Sequence, residues 1–218
     1  MNINWYGQSC FQISSVRGKD NHVSIVIDPF SESTTGLKLP KLQADILLVT
    51  HDHSDHSNIK AVSGTPFIIK GPGEYDIKKV FVHGISGYHD NVQGSQRGSI
   101  TIYTIETEGI RLCHLSDLGQ KELTSSQLDE IGDIDILMIP IGGIYTIDTA
   151  EAVKIMAQIE PRIIIPMHYK IPKLKIKLDD IDKFLKSLGI KKPESLPKLS
   201  IRKKDISTEE AKIIILQP

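Results

Sequence analysis

Six consecutive residues, His51-Asp52-His53-Ser54-Asp55-His56, bring three imidazoles and two carboxylates together. Mixed imidazole and carboxylate donors suit zinc, manganese and iron. The run follows the apolar stretch Ile46-Leu47-Leu48-Val49, so a buried strand opens into a loop here. Donors held at the mouth of a rigid strand are where proteins commonly place a catalytic metal. A solvated loop that happens to be rich in histidine is the competing reading, and the density of donor side chains argues against it.

Other polar residues follow apolar runs in the same manner. Val23 to Ile27 leads to Asp28, Ile110 to Leu115 carries His114 and leads to Asp117, and Ile163 to Met167 leads to His168 and Tyr169. His89-Asp90 lies in a glycine-rich loop after the run around Val82. Two divalent ions roughly 3.5–4 Å apart can share a hydroxide and stabilise an oxyanion as it forms. Zinc lowers the pKa of bound water to about 7, so a nucleophile exists at neutral pH without serine or cysteine. The chain has no Gly-x-Ser-x-Gly elbow, which agrees with that chemistry.

The elements that must position these groups are short strands, then strands alternating with helices. Phe11 to Ser15 and Val23 to Asp28 flank Arg17-Gly18-Lys19-Asp20-Asn21, which predicts a hairpin. Ala44 to Thr50, Pro66 to Lys70 and Val80 to Ile85 read as further strands, and Ser99 to Glu106 with Ile110 to Leu115 as a second hairpin. Thr124 and Gln127 form a capping pair for a short helix ending at Gly132. Asp135 to Pro140 and Arg162 to Met167 read as buried strands. The helix between them starts at Asp148, with Val153, Met156, Ala157 and Ile159 on one face. Ile181, Phe184, Leu185 and Leu188 recur at helical spacing before Gly189 as the cap. Lys191 to Lys198 reads as a linker, ahead of last strands near Lys198 to Arg202 and Ala211 to Leu216. Glu74 and Tyr75, after Gly71-Pro72-Gly73, mark a tight turn. Gly142-Gly143 could let a loop approach the metals. The order indicates an α+β or layered α/β arrangement.

At 218 residues, 1–218 reads as a single domain with a sizeable core. Cys10 and Cys113 are far apart and lack C-x-x-C spacing. That argues against a disulfide framework and fits a reducing compartment. No early segment has a signal-peptide pattern and the apolar runs are too short for a bilayer, so a cytoplasmic location without membrane contact is expected. The net charge is −1, yet residues 170–204 hold 12 Lys or Arg against 4 Asp or Glu. Such a stretch could draw in a phosphate-bearing substrate or nucleic acid. Phe184 is the only aromatic among those lysines, so stacking of single strands has little support.

The order of these motifs from Asp28 to His168, with HxHxDH after a strand, then a later His, an Asp and a final His, resembles the metallo-β-lactamase superfamily. Gly71-Pro72-Gly73-Glu74-Tyr75, His114-Leu115-Ser116-Asp117-Leu118-Gly119 and Pro166-Met167-His168-Tyr169 are similar to a compact branch of Zn-dependent hydrolases without assigned substrates. The resemblance implies an αββα four-layer sandwich with a dinuclear site along one edge of the paired sheets. It implies His51, His53 and His89 at one metal, Asp55, His56 and His168 at the other, and Asp117 bridging. Two divalent ions are then the cofactors, zinc first, with manganese or iron as alternatives. Asp28 has no ligand slot and would orient a ligand imidazole, as outer-shell carboxylates do. His114 competes with His89 for the third imidazole of the first metal; the family pattern favours His89 and leaves His114 behind the ligands. Asp55 would ligate and orient the attacking water, and Tyr169 would either donate to the oxyanion or pack.

The expected function is a metal-dependent hydrolase in which hydroxide on a dinuclear centre cleaves a phosphodiester or lactone-type ester. A mononuclear iron oxygenase of the persulfide-oxidising type needs only two His and one carboxylate, which would leave Asp55 and His56 partly idle. A non-catalytic, metal-stabilised binding protein is the third reading. Only 32 residues separate His56 from His89 and 50 follow His168, little room for a nucleic-acid clamp. A small-molecule substrate is the expected partner. The substrate, the native metal and any homo-oligomer are left open.

Overall fold

Alternation decides the first sheet. Ile3, Trp5, Phe11, Ile13 and Ile25 are buried, while Asn2, Asn4, Gln12, Ser14 and Ser24 between them are half-buried. A period of two makes a sheet with one apolar face turned to the core. The computed structural model describes residues 1–17, 21–207 and 209–218. Its first sheet has six strands in the order Leu199–Ser200, Asn2–Trp5, Phe11–Arg17, Asn21–Ile27, Ile46–Leu48 and Phe67–Ile69. Pairing is antiparallel as far as Asn21–Ile27 and parallel beyond it. The first hairpin expected from the sequence is therefore present, and its turn at 18–20 lies outside the described residues.

Continuous apolar runs build the second sheet. Its seven strands run in the order Lys212–Ile213, Ile163–Met167, Ile136–Pro140, Ile110–His114, Ser99–Thr107, Val80–Tyr88 and Gly73–Ile77. Every residue of Ile136–Pro140 and Ile163–Met167 is buried, as parallel strands covered on both faces require. The two sheets face each other. Ser15 Oγ meets Thr107 Oγ1 at 2.7 Å, the Tyr103 hydroxyl donates to the Val49 carbonyl at 3.1 Å, and Thr101 N–H donates to the Thr50 carbonyl at 2.9 Å.

Helices Ser125–Ile131 and Thr149–Ile159 both begin with capping boxes, Thr124 with Gln127 and Asp148 with Glu151. Ser125–Ile131 packs against Val80–Tyr88 of the second sheet, and Thr149–Ile159 packs against both Ser125–Ile131 and Ile181–Ser187. The connections of the first sheet carry single helical turns, Glu32–Thr35 and Ile59–Ala61, and a short parallel strand pair, Leu42–Gln43 with Val62–Ser63. The expected layered sandwich is present with unequal outer layers. On Thr149–Ile159 the buried side chains include Ala152, Ile155 and Ile159. Val153 and Met156 sit on the flank of that stripe and Ala157 faces solvent, so the sequence phase was rotated from the docked one.

Three further readings are corrected. Glu74 and Tyr75 belong to a strand, Gly73–Ile77, paired with Val80–Tyr88, and the turning is done ahead of them by Gly71 and Gly73 at φ 133° and 142°. Ser195–Leu196 pairs in parallel with Ile215–Leu216, so the linker is partly strand. Leu188 caps the last helix and Gly189 follows it at φ 66°. Among the described residues, no helix is long and apolar enough to cross a membrane.

Candidate metal centre

The site forms where strand ends converge. Asn21–Ile27 delivers Asp28, Ile46–Leu48 leads to Thr50 and His51, Ile110–His114 to Ser116 and Asp117, and Ile163–Met167 to His168. These are carboxyl ends of parallel strands, the edge at which α/β sheets place ligands. Val80–Tyr88 delivers His89, and the turn between Asn2–Trp5 and Phe11–Arg17 supplies Gln8 and Ser9. Gln8, Asp28, Ser116 and His168 hold φ values of 49°, 47°, 55° and 49° without being glycine. Such conformations cost on the order of 1–3 kcal/mol each and concentrate at functional sites.

Three groups of donors result, one of them Asp28 with His51 and His56. Donor atoms of His51, His53 and His89 lie within 4.8 Å of one another, and those of Asp55, His56, Asp117 and His168 form a second such group. Asp117 Oδ2 joins these last two: it is 3.1 Å from His56 Nε2, 3.2 Å from His168 Nε2 and 3.6 Å from His89 Nε2. Ser9 Oγ donates to the other oxygen of Asp117 at 3.1 Å, which leaves Oδ2 turned to the imidazoles. Gln8 Nε2 donates to Asp55 Oδ2 at 3.2 Å.

One buried carboxylate sets the tautomers of two imidazoles. Asp28 accepts from Thr50 N–H at 2.8 Å, from the Thr50 hydroxyl at 2.6 Å and from His56 Nδ1 at 2.8 Å. His56 therefore carries its proton on Nδ1, and its Nε2 presents a lone pair. The Thr50 hydroxyl, spent on Asp28, can only accept from His51 Nδ1 at 3.0 Å. His51 Nε2 is thereby also left with a lone pair, 3.0 Å from His53 Nδ1. A hydrogen bond at the far nitrogen is how proteins aim an imidazole at a metal.

The donors fit a cation. His56 Nε2 is buried without an aligned hydrogen bond, although two carboxylates face it. A lone pair 3.1 Å from a carboxylate oxygen is repulsive unless a positive charge lies between them. In the metal-free protein a proton takes that place: burial lowers the His56 pKa, but Asp117 and Asp28 raise it well above the ordinary value. Four other donors, His51, His89, Asp55 and Asp117, are already in their binding forms. Burial, and then His56, push His51 down to about 2, and burial also lowers His89. Burial favours the neutral carboxyls of Asp55 and Asp117, yet His56 holds the first ionised, and His168 with His56 the second. Neutral imidazoles and ionised carboxylates are what a divalent ion requires.

His114 stands apart. Its Nε2 faces the Ser9 carbonyl at 2.9 Å and its Nδ1 accepts from Ser116 N–H at 3.1 Å, so both nitrogens are engaged. The structure groups His89, and not His114, with His51 and His53. Tyr169 is 4% exposed and its ring stacks on Trp5 at 5.1 Å, outside the cavity over the site. Gly142 does approach the centre: a Cβ there would overlap the His168 carbonyl, as one on Gly119 would overlap that of His89.

The cavity has a volume of about 390 Å³. His53, Asp55, His89, Asp117 and His168 form its floor, and Arg97, Tyr145, Lys175, Ile176 and Lys177 its rim. Sequence reasoning named none of the rim residues individually, nor Gln8 and Ser9. Only the lysine-rich character of 170–204 pointed towards two of them. A larger cleft of about 530 Å³ lies around Asp135, where Lys203 neutralises the carboxylate at 2.7 Å and no metal-type group of donors occurs among the described residues.

Comparison with known proteins agrees with this geometry. The family described as the Beta-lactamase superfamily domain matches residues 2–168. A UPF0173 protein of Pyrococcus abyssi is 34% identical, the match covering 78% of this chain and 83% of that protein. A UPF0173 metal-dependent hydrolase of Thermoplasma volcanium is 30% identical over 77% and 82% of the two chains. Among solved structures, one from Thermotoga maritima, assigned to the Zn-dependent hydrolases of the metallo-β-lactamase superfamily, superposes with a TM-score of 0.78 at 32% identity and covers 99% of both chains. The fold is thus the metallo-β-lactamase fold, and the chain belongs to the β-lactamase superfamily and, within it, to the UPF0173 family.

Proposed function

We propose that this metal-dependent hydrolase holds two divalent ions, zinc first, and cleaves a phosphodiester or lactone-type ester. The observation that carries the dinuclear reading is Asp117 Oδ2, which faces imidazoles of both donor groups at once. His51, His53 and His89 would hold one ion and Asp55, His56 and His168 the other, with Asp117 shared between them. When bound, the pair would supply a water of near-neutral pKa and a Lewis acid for the developing oxyanion. Asp55, held by Gln8, lies on the cavity floor and would orient the attacking water. Asp28 aims His56 directly and His51 through Thr50, while His114 braces the turn that carries Ser9. Tyr169 serves packing. A single iron held by two imidazoles and one carboxylate would leave Asp55 and His56 without a task, although both face the same point.

The two cysteines are buried and unpaired, which supports a reducing, cytoplasmic setting. The test is metal content of protein prepared without chelator or His-tag, followed by assays of bis(p-nitrophenyl) phosphate against a simple lactone. About two zinc or manganese ions per chain are expected, with loss of both metal and turnover in Asp117→Asn. One iron per chain would refute the dinuclear reading, and no metal after reconstitution would refute the site.

A further inference from the structure

We propose that the cleft selects compact substrates bearing a phosphate or carboxylate group beyond the bond that is cut, held by Arg97, Lys175 and Lys177. This rests on the metal-centre reading above. The three cations come from two segments of the chain and share one cavity rim. The acidic residues lining that cavity, Asp55 and Asp117, are turned to Gln8, Ser9 and the imidazoles of the floor. The rim itself carries no carboxylate among the described residues. Among the described residues, Lys175 Nζ reaches the Ser33 carbonyl at 3.3 Å and no carboxylate, and the Arg97 guanidinium lies 4.9 Å over the Tyr145 ring. Elsewhere in the same basic stretch, Lys183, Lys192 and Lys203 are neutralised by Asp179, Asp182 and Asp135. Unpaired cations gathered around a cavity focus its field on an anion.

Arg97 is presented rigidly. The Asp90 carboxylate accepts backbone N–H groups of Val92, Gly94, Gln96 and Arg97 at 2.8–2.9 Å, which ties the loop from His89 to Arg97 into a closed unit. The floor donor His89 and the rim cation Arg97 are thus spaced by one carboxylate. Pre-set geometry lowers the ordering cost of binding. A volume of about 390 Å³ admits a small molecule.

Isothermal titration of the full-length, zinc-loaded protein with phenyl phosphate, phenylacetate and neutral phenylacetamide tests this. Both anions should bind at least about tenfold more tightly than the amide, and the tighter of the two identifies phosphate or carboxylate as the favoured group. Arg97→Ala, and Lys175→Ala with Lys177→Ala, should each weaken the anions by about tenfold and leave the amide unchanged. Anion affinities within about twofold of wild type in both variants would overturn the proposal. So would tighter binding of a single-stranded oligonucleotide than of phenyl phosphate. Zinc content measured on the same samples judges the metal centre separately: wild type that takes up no zinc sinks that reading, while the anion comparison on that protein still decides the rim.

Discussion

Asp28→Asn is the sharpest probe of how the centre is set up. The substitution keeps the shape of a fully buried side chain that accepts from Thr50 N–H, from the Thr50 hydroxyl and from His56 Nδ1. An amide can keep one acceptor on Thr50 N–H, but its NH2 then points at the Thr50 hydroxyl and at His56 Nδ1. His56 must become an acceptor there, which moves its proton to Nε2, the nitrogen aimed at Asp117 and Asp55. The Thr50 hydroxyl, no longer spent on a carboxylate, is free to donate to His51 Nδ1 and invert that ring as well. Loss of an outer-shell partner of this kind costs about 10–100-fold in metal affinity. Two imidazoles depend on this one, so the upper end, about 2.7 kcal/mol, is expected. The metal-free protein also loses hydrogen bonds to a charge, roughly 1.5–3 kcal/mol in total allowing for the amide's remaining bonds, or roughly 3–12 °C in Tm. Competition with a chromophoric chelator reads the zinc affinity, and nitrogen-15 chemical shifts of the imidazoles read the tautomers. Thr50→Val serves as a partial control, because it breaks the relay to His51 and leaves the bond from Asp28 to His56. A folded Asp28→Asn protein with zinc affinity within about threefold of wild type would refute the tautomer argument.

The remaining expectations concern the supports and the proton balance. Asp90→Ala should abolish hydrogen-exchange protection of the Val92, Gly94, Gln96 and Arg97 amides and weaken anion binding with zinc content kept; protection that persists would mean other contacts hold the loop. Burial raises the Asp90 carboxyl, but the four amides together outweigh it and lower the pKa to about 2. Its contribution in wild type is therefore complete above the unfolded value of about 3.9 and is lost as pH falls through about 2. Tyr169→Phe should leave turnover within about twofold, whereas Tyr169→Ala should cost about 3 kcal/mol in denaturant unfolding by emptying the space against Trp5; a tenfold loss of turnover in the Phe variant would restore a chemical role. Zinc uptake at pH 7 should release at least about one proton per chain, because His56 is an imidazole whose pKa is raised and its proton must leave before metal binds, and ionisation of metal-bound water would add to it. Calorimetry in two buffers of different ionisation enthalpy measures it, and zero release would mean that His56 is neutral in the metal-free protein.

Much of the fold was legible because it is written in runs. Ile136–Pro140 and Ile163–Met167 are apolar throughout, and the Asp148 and Thr124 capping boxes mark where helices begin. The errors arise where a local signal is real but its extent is not local. Gly71 and Gly73 do turn the chain, yet the strand starts at Gly73 because Val80–Tyr88 is there to pair with it. The Thr149–Ile159 helix carries apolar residues around more than one face, and neighbouring helices choose which is buried. The donor set was legible for a related reason. The donors lie at or shortly after strand ends, and those ends of the two facing sheets converge on one side.

The supports were not legible, because nothing in their own neighbourhood marks them. Gln8 and Ser9 sit in an ordinary-looking turn, 47 and 108 residues from the carboxylates they hold. The same turn receives Trp5 Nε1 at the Gln8 carbonyl, His168 N–H at that same oxygen and His114 at the Ser9 carbonyl. Two of the left-handed residues, Gln8 and His168, are thus tied to each other across 160 positions of sequence. That tie explains how the strain is borne. A backbone conformation unfavourable for each residue alone persists where surrounding hydrogen bonds over-determine it, and here the restraints run between the first sheet, the second sheet and the donors themselves. Asp55, Asp117 and His168 are therefore held in place before any ion arrives, and the turn at residues 7–10 is the part of the chain whose loss would let them drift apart.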